Sequence, residues 1–439
     1  MDTRALVSEP LPAWESPRRI RVGVLVDLAR GPRAGGHVRC WERLAEAALG
    51  FADSLDLTVH FMGERPERRR LGRNVRYVVE PPVFSTARLR FLSHVPDHTD
   101  LAPWHARLAP MLPRYDVIHA TDAYFAYART ALGIGRRHGI PIVNSVHTNT
   151  PEYARIFGGL TIERLFGEGM LSRLLLDRLG VARRIERRML AQLDAYQRRC
   201  AFTLVSRPEQ LEPARARLGG RAALLRRGVD RRLFQPGKRD RRWLAARFGI
   251  PPERFVVICA GRLNRGKNIL FLADAVAALA AQGVDVHLLC AGDGADRALI
   301  LDRLGARATC PGSIEPGELA LVYASADLFT FPSRVEESAN VVLEAQASGL
   351  PALVTREGGM GRAIADGMTG LVLPGDDLSS WVEAMTSLAG NVERRSTMAR
   401  AARRHAERSM PSWAEVLSED LLPRWEEAAM RRTLAARAA

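Results

Sequence analysis

Short apolar segments alternate with helical stretches along most of the chain, and this alternation constrains the fold more than any other feature. The first segment is Ile20–Leu28, and later ones include Ile140–Val146 and Phe202–Ser206. The pattern begins again at Phe255, after a stretch from 234 to 253 that is rich in Pro, Gly and charge. Short buried strands separated by helices indicate βαβ units and a parallel sheet. The sequence therefore predicts an α/β protein with two doubly wound, Rossmann-like domains.

Composition excludes several other classes of protein. The 439 residues are 47% hydrophobic and 26% charged, which is typical of a packed globular protein. Apolar runs such as Phe255–Ala260 are far shorter than the roughly 18–20 residues that span a bilayer. Charges interrupt the first residues, so we expect no secretory signal. The five cysteines are scattered without a CxxC pair, which predicts neither a zinc site nor a disulfide framework and favours a reducing cytoplasm.

The net charge of +15 is concentrated in the first half of the chain. Residues 1–230 contain 37 Lys and Arg against 24 Asp and Glu, whereas the remainder contains 27 against 25. This asymmetry indicates either a polyanionic partner, nucleic acid or an anionic membrane surface, or an arginine-rich genome. The chain has two lysines, Lys238 and Lys267. Because almost every other basic position is Arg, Lys267, which lies in a loop after a strand, is a candidate functional residue.

Residues 151–200 form a longer helical stretch than an ordinary crossover. Apolar residues recur there at the spacing of one helix face, namely Ile185, Met189, Leu193 and Tyr196. Arginines occupy the other faces, namely Arg183, Arg184, Arg187 and Arg188. Such a helix either lies on an anionic membrane or, more commonly, packs on the core of its own domain.

The most informative stretch is Phe331–Pro351, where a strand gives way to a helix. Ser338 and Asn340 are favourable N-cap types, and the free N–H groups of a helix start bind phosphate. Glu336 and Glu344 flank this helix start. Since carboxylates repel phosphate, their natural partners are the hydroxyl groups of a sugar and a ribose, which a nucleotide sugar supplies together. The alternative is an ordinary helix whose acidic residues complement its dipole.

Gly261–Asn268 follows another strand and forms a second candidate phosphate site. Arg262 and Lys267 can neutralise a diphosphate that the loop backbone approaches closely. In the first half, Gly35 and Gly36 follow the first strand and also suit close backbone approach, although they do not form the GxGxxG fingerprint.

His147 directly follows the apolar segment Ile140–Val146. A histidine at the end of a strand is more often structural than catalytic.

Five segments in this order resemble the retaining family-4 glycosyltransferases, which have the two-domain GT-B fold with a central cleft. They are Ala34–Gly36, Asn144–Tyr153, Arg227–Asp230 with Leu233, Phe234 and Pro236, Gly261–Leu263 with Lys267 and Asn268, and the glutamate pair Glu336 and Glu344 with seven residues between. The blocks His147–Tyr153 and Asn340–Glu344 are most similar to the branch that glycosylates membrane lipids, which includes diacylglycerol mannosyl-, glucuronosyl- and sulfoquinovosyltransferases and phosphatidylinositol mannosyltransferases.

The resemblance implies a role for each candidate. Arg262 and Lys267 would neutralise the donor diphosphate, and Gly35 and Gly36 would approach it from the other domain. His147 would contact the donor sugar beside the reacting carbon. Glu336 would accept hydrogen bonds from the sugar and Glu344 from the ribose, with Cys310–Ser313 near the base. The backbone N–H groups that would hold phosphate and sugar are those of Ser338, Ala339, Asn340 and Val341. Ser338 and Ala339 stand where the family usually has an aromatic residue and glycine.

The resemblance thus predicts a retaining glycosyltransferase that needs neither metal nor cofactor. It would move a hexose from a GDP- or UDP-linked donor to a membrane lipid or lipid-linked acceptor. We expect it in the cytoplasm, bound peripherally to the anionic surface of the inner face of the plasma membrane. We divide the chain into an acceptor-side domain (1–233), a nucleotide-sugar domain (234–408) and a C-terminal helix packing back on the first domain (409–439).

Three alternatives remain open at this stage: a soluble-acceptor glycosyltransferase, a nucleotide-sugar epimerase of the same fold, and a nucleic-acid-binding protein. The last would require aromatic residues among the basic ones for base stacking. Aromatic residues make up only 6% of the chain, so we expect no nucleic-acid partner.

Overall fold

The computed structural model describes residues 19–31, 34–92, 98–167, 169–333 and 340–438. Its strands form two sheets, one in each half of the chain. The first sheet contains β1 (Ile20–Ala29), β2 (Leu55–Met62), β3 (Glu67–Arg70), β4 (Val75–Glu80), β5 (Val117–Ala120), β6 (Ile142–Ser145), β7 (Phe202–Val205) and β8 (Ala222–Leu224). The second contains β9 (Phe255–Ala260), β10 (Val286–Ala291), β11 (Ala308–Gly312), β12 (Leu328–Phe331), β13 (Ala352–Thr355) and β14 (Gly370–Leu373).

Helices connect these strands. In the first half they are α1 (Gly36–Ala48), α2 (Ala126–His138), α3 (Thr150–Phe166), α4 (Met170–Arg173), α5 (Val181–Gln197) and α6 (Pro208–Leu218). In the second half they are α7 (Arg241–Phe248), α8 (Ile269–Ala281), α9 (Arg297–Leu304), α10 (Pro316–Ser325), α11 (Asn340–Ala347), α12 (Leu378–Gly390), α13 (Val392–Ser409), α14 (Trp413–Glu415) and α15 (Leu422–Ala438). Among the described helices, none is long and apolar enough to cross a membrane.

Both sheets have the strand order of doubly wound proteins. The first runs β3-β4-β2-β1-β5-β6-β7-β8 and the second β11-β10-β9-β12-β13-β14. Neighbouring strands are parallel except β3 and β4, which are antiparallel. The sequence does not signal β3, because its residues Glu-Arg-Arg-Arg are all exposed at the sheet edge and lack any apolar alternation. In a doubly wound sheet, ligands bind beyond the carboxyl ends of the central strands.

The end of the chain returns to the first sheet. Trp425, on α15, is fully buried in the core that contains β1 and β2. Its indole N–H donates to Nδ1 of His119, on β5, over 3.0 Å. Arg226, which follows β8, forms an ion pair of 2.7 Å with Asp420 in the π-helical turn before α15. These contacts attach the C-terminal segment to the first half of the chain.

The helix predicted around residues 181–196 is α5, and its apolar stripe is divided between the core and solvent. Met189 and Leu193 pack against the core around β5, and Tyr196 is buried there. Ile185, one turn earlier, is exposed. The stripe is therefore a core-packing face at its C-terminal end and a surface feature at its N-terminal end.

Candidate active site

The loop that carries Lys267 is held in a fixed conformation at the carboxyl end of β9. The side-chain oxygen of Asn264 accepts the backbone N–H of Lys267 over 3.2 Å. Asn268 closes the turn with a positive φ of 54°, a conformation that asparagine tolerates better than most residues. The ammonium of Lys267 lies 5.5 Å from the ring centroid of Phe331, the last residue of β12. The lysine thus sits between the ends of β9 and β12, the two central strands of the second sheet.

Arg262 in the same loop reaches the first half of the chain. A β-carbon built on Gly35, the residue that caps α1, would lie 3.6 Å from a guanidinium nitrogen of Arg262. Among the described residues, no atom beyond its chain neighbours and the backbone of α1 lies within 4 Å of the corresponding position on Gly36. The structure therefore brings Gly35 and Arg262, predicted from separate motifs, to opposite sides of one cleft. The N-terminus of α1 adds N–H groups that favour an anion there.

Glu344 lies in the second turn of α11 and is close enough to α1 to interact with Arg43. Burial raises its pKa to about 7, and the guanidinium of Arg43 on α1 acts in the opposite direction. Arg43 also forms an ion pair of 2.7 Å with Glu46. Asn340, at the start of α11, has a buried side-chain oxygen with no hydrogen-bond partner among the described residues. Val341 follows it in the first turn.

Three of the predicted donor-binding residues, Glu336, Ser338 and Ala339, lie outside the described residues. Their roles remain predictions from the sequence.

His147 lies just beyond β6 and is only 6% exposed. Its ring stacks on His37, the second residue of α1, with centroids 4.3 Å apart. Arg227 donates to its Nδ1 over 3.0 Å, and the indole N–H of Trp41 points at its Nε2 over 3.3 Å. The hydroxyl of Ser145 is also 2.7 Å from Nε2. The imidazole is thus fixed beside the N-terminus of α1.

The surroundings of His147 keep it neutral. A neutral imidazole accepts at one nitrogen only, and an imidazolium at neither. Since the guanidinium of Arg227 can only donate, Nδ1 is the accepting nitrogen, and the ring hydrogen lies on Nε2, where the Ser145 hydroxyl can accept it. A second proton, on Nδ1, would face the guanidinium. Burial, with His37 and Arg227 nearby, holds the pKa of His147 well below its usual range. Burial and Arg227 likewise lower the pKa of His37 to about 3.

Sequence reasoning missed His37, Trp41 and Arg227 as functional residues. Arg227 was recognised as part of a family segment but was given no role. His37 directly follows the Gly35-Gly36 pair, and that adjacency was the one available signal. The others come from distant segments, and only the fold places them around His147.

A cavity of about 350 Å³ opens beside His147 in the first half of the molecule. It lies beyond the carboxyl ends of β1, β5 and β6, and its outer wall comes from α3 and α5. The wall is largely apolar and includes Phe157 on α3 and Met189 on α5. This position, next to the cleft but away from the second sheet, suits a second substrate.

The profile of the family described as Glycosyl transferases group 1 matches residues 254–391. A D-inositol 3-phosphate glycosyltransferase of Arthrobacter sp. (strain FB24) is 31% identical over 305 residues, which are 67% of this chain and 67% of that protein. A protein of the same name from Paenarthrobacter aurescens (strain TC1) is 30% identical over 340 residues, 72% of this chain and 77% of that one. The chain belongs to the group 1 glycosyltransferases.

The fold agrees with that membership. Sucrose-phosphate synthase from Thermosynechococcus elongatus superimposes with a TM-score of 0.64 at 18% identity, over 96% of this chain and 99% of that one. The predicted pair of Rossmann-like domains in the GT-B arrangement is confirmed. This group 1 glycosyltransferase takes a sugar from a nucleotide-sugar donor.

The raised pKa of Glu344 predicts how a Glu344→Gln variant behaves. A carboxyl whose folded pKa exceeds its unfolded value stabilises the fold at low pH, and that stability is lost as the pH rises through the folded value. With a shift from 4.5 to about 7, ionised Glu344 destabilises the empty enzyme above pH 7. We expect Glu344→Gln to raise the free energy of unfolding by about 1–2 kcal/mol at pH 8, and by less at pH 5.5.

Urea unfolding at the two pH values measures this difference. An equal gain at both would contradict the raised pKa.

Proposed function

We propose that this group 1 glycosyltransferase is a retaining, metal-independent hexosyltransferase with a membrane lipid as its acceptor. The donor is a UDP- or GDP-linked hexose. The observation that carries the proposal is the apolar cavity beside His147, because its outer helices also bear a large exposed apolar surface. The donor chemistry in this proposal follows the family, whereas the lipid acceptor is argued from this chain's own surface and cavity.

Charge in the cleft supports the donor chemistry. The diphosphate gains negative charge as the bond to the sugar breaks, so Arg262, Lys267 and the N-terminus of α1 stabilise the transition state more than the ground state. Two cationic side chains and a helix terminus supply the neutralisation that a metal ion gives in other transferases. Glu344 binds the ribose hydroxyls, and Glu336 binds the sugar.

Retention of configuration follows if the acceptor attacks from the face that the diphosphate leaves. The departing phosphate oxygen then takes the proton of the acceptor hydroxyl, so that no carboxylate has to form a covalent intermediate. His147, held neutral beside the start of α1, borders the reacting carbon without adding charge. Closure of the two domains excludes water, which would otherwise hydrolyse the donor.

An exposed apolar surface supports the lipid acceptor. We call it the α3–α5 patch, and its exposed members are Leu160, Leu165, Phe166, Met170, Leu171, Leu174, Leu179, Ile185 and Leu190. Met170 is 83% exposed. Exposed arginines accompany the patch on α5, namely Arg183, Arg184, Arg187 and Arg188. Apolar residues beside clustered arginines fit the interface of an anionic bilayer.

The α3–α5 patch and the cavity share the same two helices. Phe157 faces the cavity from α3, while Leu165 and Phe166 are exposed at the end of that helix. Met189 faces the cavity from α5, and its neighbour Leu190 is exposed. A lipid could therefore pass from the bilayer into the cavity along α3 and α5. We accordingly place the enzyme on the cytoplasmic face of the membrane.

A soluble acceptor is the second candidate, because the two relatives above are named for D-inositol 3-phosphate. Membership of this chain in the group 1 glycosyltransferases does not favour the nucleic-acid-binding alternative. An epimerase would convert its donor without an acceptor, so incubation of the donor alone separates it from a transferase. A thermal-shift screen of UDP- and GDP-hexoses identifies the donor, since a ligand that binds the native state raises the melting temperature.

The α3–α5 patch predicts binding to anionic vesicles. We expect Met170→Glu to lower the fraction of protein that sediments with phosphatidylglycerol vesicles by about fivefold or more, since a charge opposes insertion of apolar surface. Met368→Glu is the matched control, because Met368 is 65% exposed on the loop before β14, away from the patch. Sedimentation of wild-type protein should also fall with salt. Equal sedimentation of both variants, or of wild type with neutral vesicles, would contradict membrane docking by this patch.

A further inference from the structure

A chain of buried hydrogen bonds joins the last helix of the protein to His147. The indole N–H of Trp425, on α15, donates to Nδ1 of His119 over 3.0 Å. The other nitrogen of His119, Nε2, lies 2.8 Å from the hydroxyl oxygen of Ser145, which in turn lies 2.7 Å from Nε2 of His147. The first three side chains are fully buried, and His147 is 6% exposed. We call these four side chains the Trp425–His147 chain.

Donors at both ends of the chain fix which nitrogen of each imidazole carries the hydrogen. An indole N–H can only donate, so Nδ1 of His119 is an acceptor and the hydrogen of this neutral ring lies on Nε2. Arg227 acts in the same way on Nδ1 of His147, 3.0 Å away, and leaves the hydrogen of that ring on Nε2. Burial lowers the pKa of both imidazoles, that of His119 to about 3, so both rings are neutral.

Both ring hydrogens therefore point at Ser145. A hydroxyl oxygen has two lone pairs, so Oγ of Ser145 can accept both Nε2–H groups at once. Trp41 also approaches Nε2 of His147, but over a longer 3.3 Å and with its ring inclined by 65° to the imidazole. It packs against His119 as well, with ring centroids 4.9 Å apart. Turning either imidazole over would leave a buried donor or acceptor unmatched, so the junction at Ser145 holds both rings in one orientation.

We propose that Trp425, His119 and Ser145 are positioning residues for the transfer reaction. Together they fix the ring of His147 beside the donor sugar. The inference rests on the proposed function in one respect, namely that His147 borders the reacting carbon. It goes further because it makes the last helix of the protein part of the active site. α15 follows the second sheet in sequence, yet its indole reaches β5 of the first sheet and acts on His147 through two further side chains.

Two tryptophan variants separate positioning from packing. Trp425→Phe removes the indole N–H at the start of the chain and keeps an aromatic ring in the core. Trp381→Phe is the matched control, because Trp381 is also fully buried and donates one hydrogen bond, of 2.8 Å to the carbonyl of Pro374, in the core of the second sheet. We expect similar falls in melting temperature but an about tenfold lower kcat only in Trp425→Phe, since a small displacement of a group beside the reacting atoms is costly. KM for the donor should stay within about twofold of wild type.

Ser145→Ala tests whether these residues act as one chain. It removes the junction, so we expect kcat to fall about tenfold or more. A Ser145→Ala/Trp425→Phe double variant should lose nothing further, since Trp425 acts through Ser145. The rates are measured with the UDP- or GDP-hexose that raises the melting temperature more, on diacylglycerol vesicles and on D-inositol 3-phosphate. Additive losses in the double variant, or equal kcat in Trp425→Phe and Trp381→Phe, would overturn the proposal.

Nitrogen NMR of the imidazoles tests the chain independently of turnover. In wild type, the ¹⁵N shifts of His147, assigned by their loss in His147→Gln, should show hydrogen on Nε2 and none on Nδ1. They should move in Trp425→Phe and stay in Trp381→Phe. Hydrogen on Nδ1 of His147 in wild type, or unchanged shifts in Trp425→Phe, would overturn the proposal. If sugar went to D-inositol 3-phosphate alone, the proposed lipid acceptor would fail, while the same difference in kcat between the two tryptophan variants would still support the positioning role.

Discussion

Replacing Lys267 by alanine is expected to lower kcat by about 10²–10³-fold, because the variant loses a cation that stabilises charge developing on the leaving diphosphate. The turn that presents Lys267 is closed by the side chain of Asn264 and by the backbone of Asn268, so it does not depend on the lysine side chain. The melting temperature should therefore change little. Initial rates of sugar transfer at saturating donor give the comparison.

Lys238→Ala is the matched control for this prediction. Lys238 is the other lysine of the chain, and it lies in the turn Pro236–Lys238 that precedes the second sheet. It should keep the full wild-type rate. A Lys267→Ala enzyme that retained more than a tenth of wild-type activity would argue against a role for this ammonium in catalysis.

Gly35→Val is expected to lower kcat/KM by about 10²-fold, because it places a branched side chain where the two halves of the donor site meet. The backbone at Gly35 is extended, so valine fits its conformation. Its β-carbon, however, would lie 3.6 Å from the guanidinium of Arg262, and its methyl groups would extend into the space assigned to the diphosphate. A displacement of about 1 Å in such a site is enough for a loss of this size.

Gly31→Val supplies the control, since among the described residues no atom beyond Gly31 and its chain neighbours lies within 4 Å of a β-carbon there. Arg262→Ala extends the experiment into a double-mutant cycle. If Gly35 and Arg262 border the same phosphate, the two losses should be less than additive. Additive losses, or full activity in Gly35→Val, would show that the two residues serve different sites.

The sequence predicted both sheets because buried parallel strands are short apolar runs that stand out from the helices between them. It did not predict β3, because four consecutive exposed, charged residues show no apolar alternation that would indicate a strand. The stripe on α5 was ambiguous for a physical reason. One helix face both packs on the core at Leu193 and is exposed at Ile185, and periodicity reports only that the face is apolar.

The candidate site was predictable where a motif is contiguous. Arg262 and Lys267 share one loop, and Glu344 follows Asn340 on one helix. The surroundings of His147 were not predictable, because they combine α1, the segment after β6 and the segment after β8.

One competition experiment tests the central claim most directly. The enzyme is given a hexose donor labelled with ¹³C at the anomeric carbon, together with equal concentrations of diacylglycerol in anionic vesicles and D-inositol 3-phosphate in solution. The nucleotide is whichever of UDP and GDP raises the melting temperature more. We predict that the label enters the extracted lipid and that its NMR signal has the anomeric configuration of the donor. Label found in D-inositol 3-phosphate, or in lipid with inverted configuration, would contradict the proposed acceptor or the proposed mechanism respectively.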